Sequence, residues 1–189
     1  MVGALVAGIP LLLTRSSGGS GLGAAHEALH APANLDGFTP MVGHSKINPA
    51  MNKRTESSET MSAKNLSDAY GGAASTVRQY VDAGLENFVA LEAVRATSPK
   101  PFVPYVDAAS IGLAKPQQEV VTIGQTSCVV ANDPAPTGQQ ESPDQVHVVI
   151  CERTSPHLTV RLRFTGGGDR SHSPQDAAAL TERAWAALS

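Results

Sequence analysis

The sequence is short of aromatic and charged residues. Phe, Tyr and Trp together make up 4% and Asp, Glu, Lys and Arg 16%. There is no basic excess: 14 Lys and Arg stand against 17 Asp and Glu, a formal charge of −3. A dedicated nucleic-acid binder shows such an excess, so nucleic acid is not expected as a partner. The G-x-S-x-G and S-x-x-K signatures of serine catalysis are missing, as are the P-loop Lys-Ser/Thr and the dinucleotide G-x-G-x-x-G. Cysteine occurs twice and tryptophan once. What is plentiful is loop chemistry, with 17 Gly and 13 Pro in 189 residues. Even so, 41% of residues are hydrophobic, which suffices for a packed core of one domain.

The longest apolar run is residues 2–13 (VGALVAGIPLLL). As a helix it reaches about 18 Å, against a hydrocarbon core of about 30 Å. It reads as part of a membrane anchor or as a signal segment, over residues 1–14. Residues 15–32 begin with a Gly/Ser-rich stretch and read as a flexible stalk. The domain is then residues 33–189, on the extracytoplasmic side of the cytoplasmic membrane.

Cys128 and Cys151 each lie in a β-like run, residues 119–132 and 146–153. Let these runs pair antiparallel, joined by residues 133–145, with Asp133 opposite Val146. Paired residue numbers then sum to 279, as do 128 and 151. The two sulfurs face each other across the ladder, which predicts a disulfide. An oxidising compartment agrees with the N-terminal segment.

Elsewhere, residues 24–31 suit a short helix stopped by Pro32. Residues 43–62 read as loop, and residues 62–74 hold a short helix ended by Gly71 and Gly72. Residues 76–96 fit either a helix or a hairpin, and the turn-like Asp82, Ala83 and Gly84 favour the hairpin. Residues 101–114 suit a helix. Residues 158–164 (LTVRLRF) alternate as a half-exposed strand, with Arg161 and Arg163 on the outer side. Ser173, Pro174 and Asp176 open a C-terminal helix. Its stripe of Ala177, Leu180, Ala184, Trp185 and Leu188 faces a sheet. The fold class is therefore α+β: an antiparallel sheet with helices packed mainly on one face and one disulfide.

Three groups carry candidate chemistry. His26, Glu27 and His30 match the zincin pattern H-E-x-x-H, in which a helix aims two imidazoles at one zinc and Glu serves as general base. Zinc is the one cofactor in view, and only under that reading. The motif lies in the stalk, where no cleft surrounds it, so a solvated segment is the preferred interpretation. Residues 165–173 form a glycine-rich loop that opens a helix. Its Gly166, Gly167 and Gly168, with Arg170 and His172, are candidates for holding an anion. A plain strand-to-helix connection is preferred there too. Arg161 and Arg163, with Arg153 nearby, suggest a basic row for an acidic partner, lipid headgroups or polymer. His147 and His157 bracket the same hairpin and read as surface residues.

From Cys128 to Leu188 the pattern resembles a group of uncharacterised actinobacterial membrane-anchored proteins. The likeness rests on the two cysteine strands, the turn at Ser155, Pro156 and His157, the valine-rich strand and the final SPQDAAALTERAWAAL helix. An approach like residues 34–39 (NLDGFT) extends it to about residue 33. The resemblance implies an extracytoplasmic domain and carries no site residues. The expected function is a non-enzymatic accessory, sensor or binding module of the cell envelope, with an envelope protein or polymer as partner. The rivals are a zinc hydrolase, and a small-ligand carrier with a cavity beneath Trp185.

Overall fold

The computed structural model describes residues 26–139, 142–166 and 168–189. The apolar run at residues 2–13 lies outside them. Among the described residues no helix is long and apolar enough to cross a membrane.

The chain enters through a two-residue hairpin. Asp36 and Gly37 both take positive φ, 50° and 86°, the pairing that Asp-Gly favours in a type I′ turn. Leu35 and Phe38 exchange backbone bonds of 2.9 and 3.0 Å across it. Both side chains are buried. Strand β1 (Thr39–Pro40) follows, then helix α1 (Pro49–Ala69). Asn48 caps α1 by accepting from the Met51 N–H at 2.9 Å, and Pro49 starts it. Gly71 and Gly72, at φ 67° and 86°, end it.

The remaining elements are β2 (Ser75–Val81), β3 (Phe88–Val94), β4 (Gln118–Ile123), β5 (Thr126–Asn132), β6 (Val146–Thr154), β7 (Thr159–Phe164) and α2 (Pro174–Leu188). They form one antiparallel sheet in the order β1-β2-β3-β7-β6-β5-β4. The chain leaves β3 near the centre and crosses to the far edge. It then returns strand by strand until β7 pairs with β3. The fold is α+β, with the C-terminal helix and the disulfide that the sequence predicts.

The pleat divides the sheet's chemistry. Tyr80, Val89, Leu91, Cys128, Cys151, Val160 and Leu162 belong to the buried core, which α2 completes with Ala177, Leu180, Ala184 and Leu188. Leu158, just before β7, and Val160, Leu162 and Phe164 within it are all buried, as the alternation predicts, while Thr159 on the other side is buried as well. Alternate residues, Glu92 and Arg161 among them, project from the other face. There α1 lies across β2, bonded through Glu59 to the Gln79 N–H at 2.7 Å. The Ser75 hydroxyl donates to the Ala63 carbonyl at 2.7 Å. The two helices thus take opposite faces of the sheet instead of sharing one.

Several element boundaries depart from the sequence reading. Residues 43–62 are not loop throughout, because α1 begins at Pro49. Its seam is polar, with Thr55 and Glu59 the buried residues, so no apolar period announces it. Residues 76–96 are the hairpin β2–β3. Its left-handed residue is Leu85, at φ 63°, and not Gly84. The run 119–132 is two strands, split by Gly124 and Gln125 with Gly124 at φ 60°. Residues 101–114 are not a helix: a 3-10 turn at Ala109–Ile111 is their only helical piece. Pro99, Pro101 and Pro104 each push the residue before them toward extended backbone and away from a helix.

The folded unit also begins before residue 33. Leu29 is buried in the core and Ala31 packs against it. The Tyr80 hydroxyl donates to the Pro32 carbonyl at 2.6 Å. Burial pushes the Tyr80 phenol well above its ordinary range.

Candidate functional site

The β3–β4 crossover, residues 95–117, is pinned at both ends. Near its start, buried Ser98 donates its N–H to Thr154 Oγ1 at 3.1 Å and accepts from the Tyr70 hydroxyl at 3.0 Å. Near its end, the Ala114 N–H donates to the Ala135 carbonyl at 2.9 Å. Asn132 Nδ2 donates to the Pro116 carbonyl at 2.8 Å. Gly112, at φ 75°, closes the 3-10 turn between them.

Between these anchors the crossover stands away from the core. Phe102 is 82% exposed, Tyr105 91% and Ile111 60%. Val106 and, on edge strand β4, Val120 are exposed as well. Among the described residues these are five of the seven large apolar side chains left exposed. The other two are Met51 and Met61 on α1. A groove of about 480 Å³ runs between the crossover and β4, lined by Tyr105, Val106, Ala108, Pro116 and Val120 among others. Scattered exposed apolar residues need no explanation, but a cluster on one held segment marks a contact surface.

The arginine row is engaged within the molecule. Arg161 Nε donates to Glu152 Oε2 at 2.9 Å, and its Nη1 reaches Glu92 Oε2 at 3.4 Å. Burial opposes the Arg161 charge, yet the Glu152 bond and the charges of Glu152 and Glu92 hold its proton more firmly than usual. Arg163 also meets Glu92, at 3.4 Å. Arg153 lies on the other face. It pairs with Glu182 and stacks 4.4 Å above the Trp185 ring. The basic row expected from the alternation is therefore a set of internal ion pairs.

His26, Glu27 and His30 are not on a helix. Residue 26 is in a turn, 27 in a bend and 30 outside any regular element. All three are exposed, while Leu29 between them is buried. Glu27 faces Arg95 at 3.8 Å. Among the described residues no three His, Cys, Asp or Glu converge to hold a metal. His44 Nδ1 accepts a local bond from the Lys46 N–H at 3.3 Å. The helix that aims both imidazoles at one zinc is lacking, so these residues do not fit the zincin site.

Gly166 and Gly168 have a packing reason. A Cβ on Gly166 would sit 2.7 Å from the Glu86 carbonyl oxygen, and one on Gly168 2.0 Å from Asn87 Oδ1. At Gly166 the neighbours are backbone of the β2–β3 hairpin and leave no room for a side chain, whereas at Gly168 the Asn87 side chain would have to move. Gly167 and the Arg170 side chain lie outside what is described. His172 bonds the Val146 carbonyl at 2.8 Å through Nδ1, and its ring lies 4.7 Å from that of His147. His147 in turn meets Asp133 at 3.2 Å. The α2 start is capped by Ser173 Oγ, which accepts from the Asp176 N–H at 3.2 Å, and Asp176 adds negative charge there. That charge works against an anion at this helix end.

Cys128 and Cys151 are bonded, fully buried and directly opposed, with Cα atoms 4.0 Å apart. The sequence reading missed Phe102, Tyr105 and Val106, because it placed them on a helix. The spacing of Pro99, Pro101 and Pro104 was the available signal. No family model, curated protein or solved structure matches the chain.

Proposed function

We propose that the chain is a non-enzymatic accessory or binding module of the cell envelope. Its N-terminal apolar segment holds it at the cytoplasmic membrane with the domain outside, as in the actinobacterial proteins it resembles. Its contact surface is the β3–β4 crossover. The observation that carries this reading is the exposed cluster of Phe102, Tyr105, Val106 and Ile111 on a segment anchored at both ends. Rings held out by a rigid support lose little conformational freedom on binding. The buried disulfide agrees with an oxidising compartment. The space under α2 is filled by Leu180, Ala184 and Leu188 side chains and by the Arg153 stack on Trp185. That packing gives a small-ligand carrier no support.

The test is cellular. The protein is expected in the membrane fraction, open to protease added outside the membrane, with Cys128 and Cys151 blocked to alkylation until reduced. A protease-protected chain with free thiols contradicts the location. A hydrolase activity that maps to residues 33–189 contradicts the module.

A further inference from the structure

The crossover's occupant follows from where the tether joins the domain. Glu27 Oε2 lies 3.8 Å from Arg95 Nη2, and Arg95 is the first residue after β3, at the root of the crossover. Phe102 stands seven residues further on and Tyr105 ten. Their paths from Arg95 are at most about 25 and 36 Å. On the other side, twelve residues, 14–25, separate Leu13 from His26. Fully extended, they reach about 45 Å. That is close to the roughly 40 Å diameter of a domain this size. A bilayer holding residues 2–13 therefore lies within about 45 Å of His26, beside the crossover root.

The chemistry of the crossover suits a headgroup layer. Phe102 and Tyr105 are the most exposed large apolar side chains, and aromatic rings concentrate at the membrane–water interface. The charged residues of segment 96–117 are Lys100, Asp107 and Lys115. With Glu119, which lines the same groove, the surface carries no net charge, so the exposed rings carry the contact. Attachment to the same bilayer makes the contact intramolecular, so shallow insertion suffices.

We infer that the crossover docks on the surface of the bilayer that holds residues 2–13, with Phe102 and Tyr105 at headgroup depth. The inference rests on the membrane-held reading above. The full chain, labelled with an environment-sensitive dye at Tyr105→Cys or at Ser57→Cys on α1, is reconstituted with phosphatidylethanolamine–phosphatidylglycerol vesicles. Position 105 is expected to shift to the blue and to be quenched about twofold by shallow nitroxide lipid, with position 57 unchanged. Phe102→Ser in the chain labelled at 105 reverses the shift. If the chain floats with vesicles while position 105 stays aqueous, the docking is overturned and the membrane-held reading stands. If it does not float, both fall. A blue shift at 105 without lipid, accompanied by dimers, overturns the bilayer in favour of a second copy.

Discussion

Helix α2 buries Ala177, Ala178, Leu180, Thr181, Ala184 and Leu188 on one face of the sheet. Helix α1 is longer, at 21 residues against 15, yet buries only Thr55 and Glu59 on the other. The first face is an apolar core closed by a disulfide. The second buries Val81 and Val94 but is held mainly by hydrogen bonds and ion pairs, with Glu152 and Arg161 beneath and the crossover rooted at Ser98 beside them. The difference teaches where stability and contact are separated. The apolar face holds the fold, whereas the crossover presents rings that the fold does not use.

The largest effect tests the charged layer. Glu152 is 2% exposed, and Arg161→Met leaves its charge buried without its main partner. The expected loss is about 3–5 kcal/mol by urea denaturation, most of it recovered in the double variant with Glu152→Gln. A loss under about 1 kcal/mol would erase the contrast drawn between the faces. Next, Leu180→Ala on α2 is expected to cost about 3 kcal/mol, while Met61→Ala on α1 changes stability by less than about 0.5 kcal/mol. Equal shifts in the two melting curves would contradict the comparison. Reduction of the disulfide comes third, at about 3 kcal/mol for its separation of 23 residues. Denaturation with and without reductant reads it.

Glu59 gives a smaller effect with a definite sign. Burial raises its carboxyl above the ordinary 4.5, and the Gln79 N–H and Arg78 offset this only in part. A raised carboxyl favours folding in its protonated form. Its contribution is thus present below the unfolded value and lost as pH rises through the folded one. Glu59→Gln keeps an acceptor for Gln79 and removes the charge. Stability at pH 7 is expected to rise by less than about 1 kcal/mol, and the gap to the native chain to close in titrations below about pH 4.5. The smallest effect belongs to the crossover. Phe102→Ser with Tyr105→Ser is expected to change stability in urea denaturation by less than about 0.5 kcal/mol, because neither ring is buried.

How much of this was legible depended on which physics wrote the pattern. The strand 158–164 and helix α2 were readable because their burial follows one period, 2 or 3.6. The disulfide was readable from pairing, although by a route the structure corrects. Asn132, not Asp133, stands opposite Val146, and an irregularity between Val129 and Val130 restores the sum of 279 at the cysteines. The C-terminal part of α1 is legible ahead of Gly71 and Gly72, but its first part, residues 49–61, is hidden because its seam is Thr55 and Glu59, residues that periodicity counts as solvent-facing. The Gly124 hairpin was hidden inside an unbroken β-like run. The crossover reads as a helix if Pro104 and Gly112 mark a start and an end, but three prolines within six residues favour extended backbone ahead of each. The sequence named chemistry at His26, Glu27 and His30, but their pattern works only on a helix, and Leu29 holds that segment to the core instead.

The most direct test of the crossover as the contact surface is hydrogen exchange of the full chain in native membranes, compared with the chain carrying Phe102→Ser and Tyr105→Ser. The account predicts that the native chain is protected over residues 99–117 and β4, and that the double variant loses this protection with the rest of the sheet unchanged. Equal exchange of the two chains over residues 99–117, or a difference centred on α1, would contradict it.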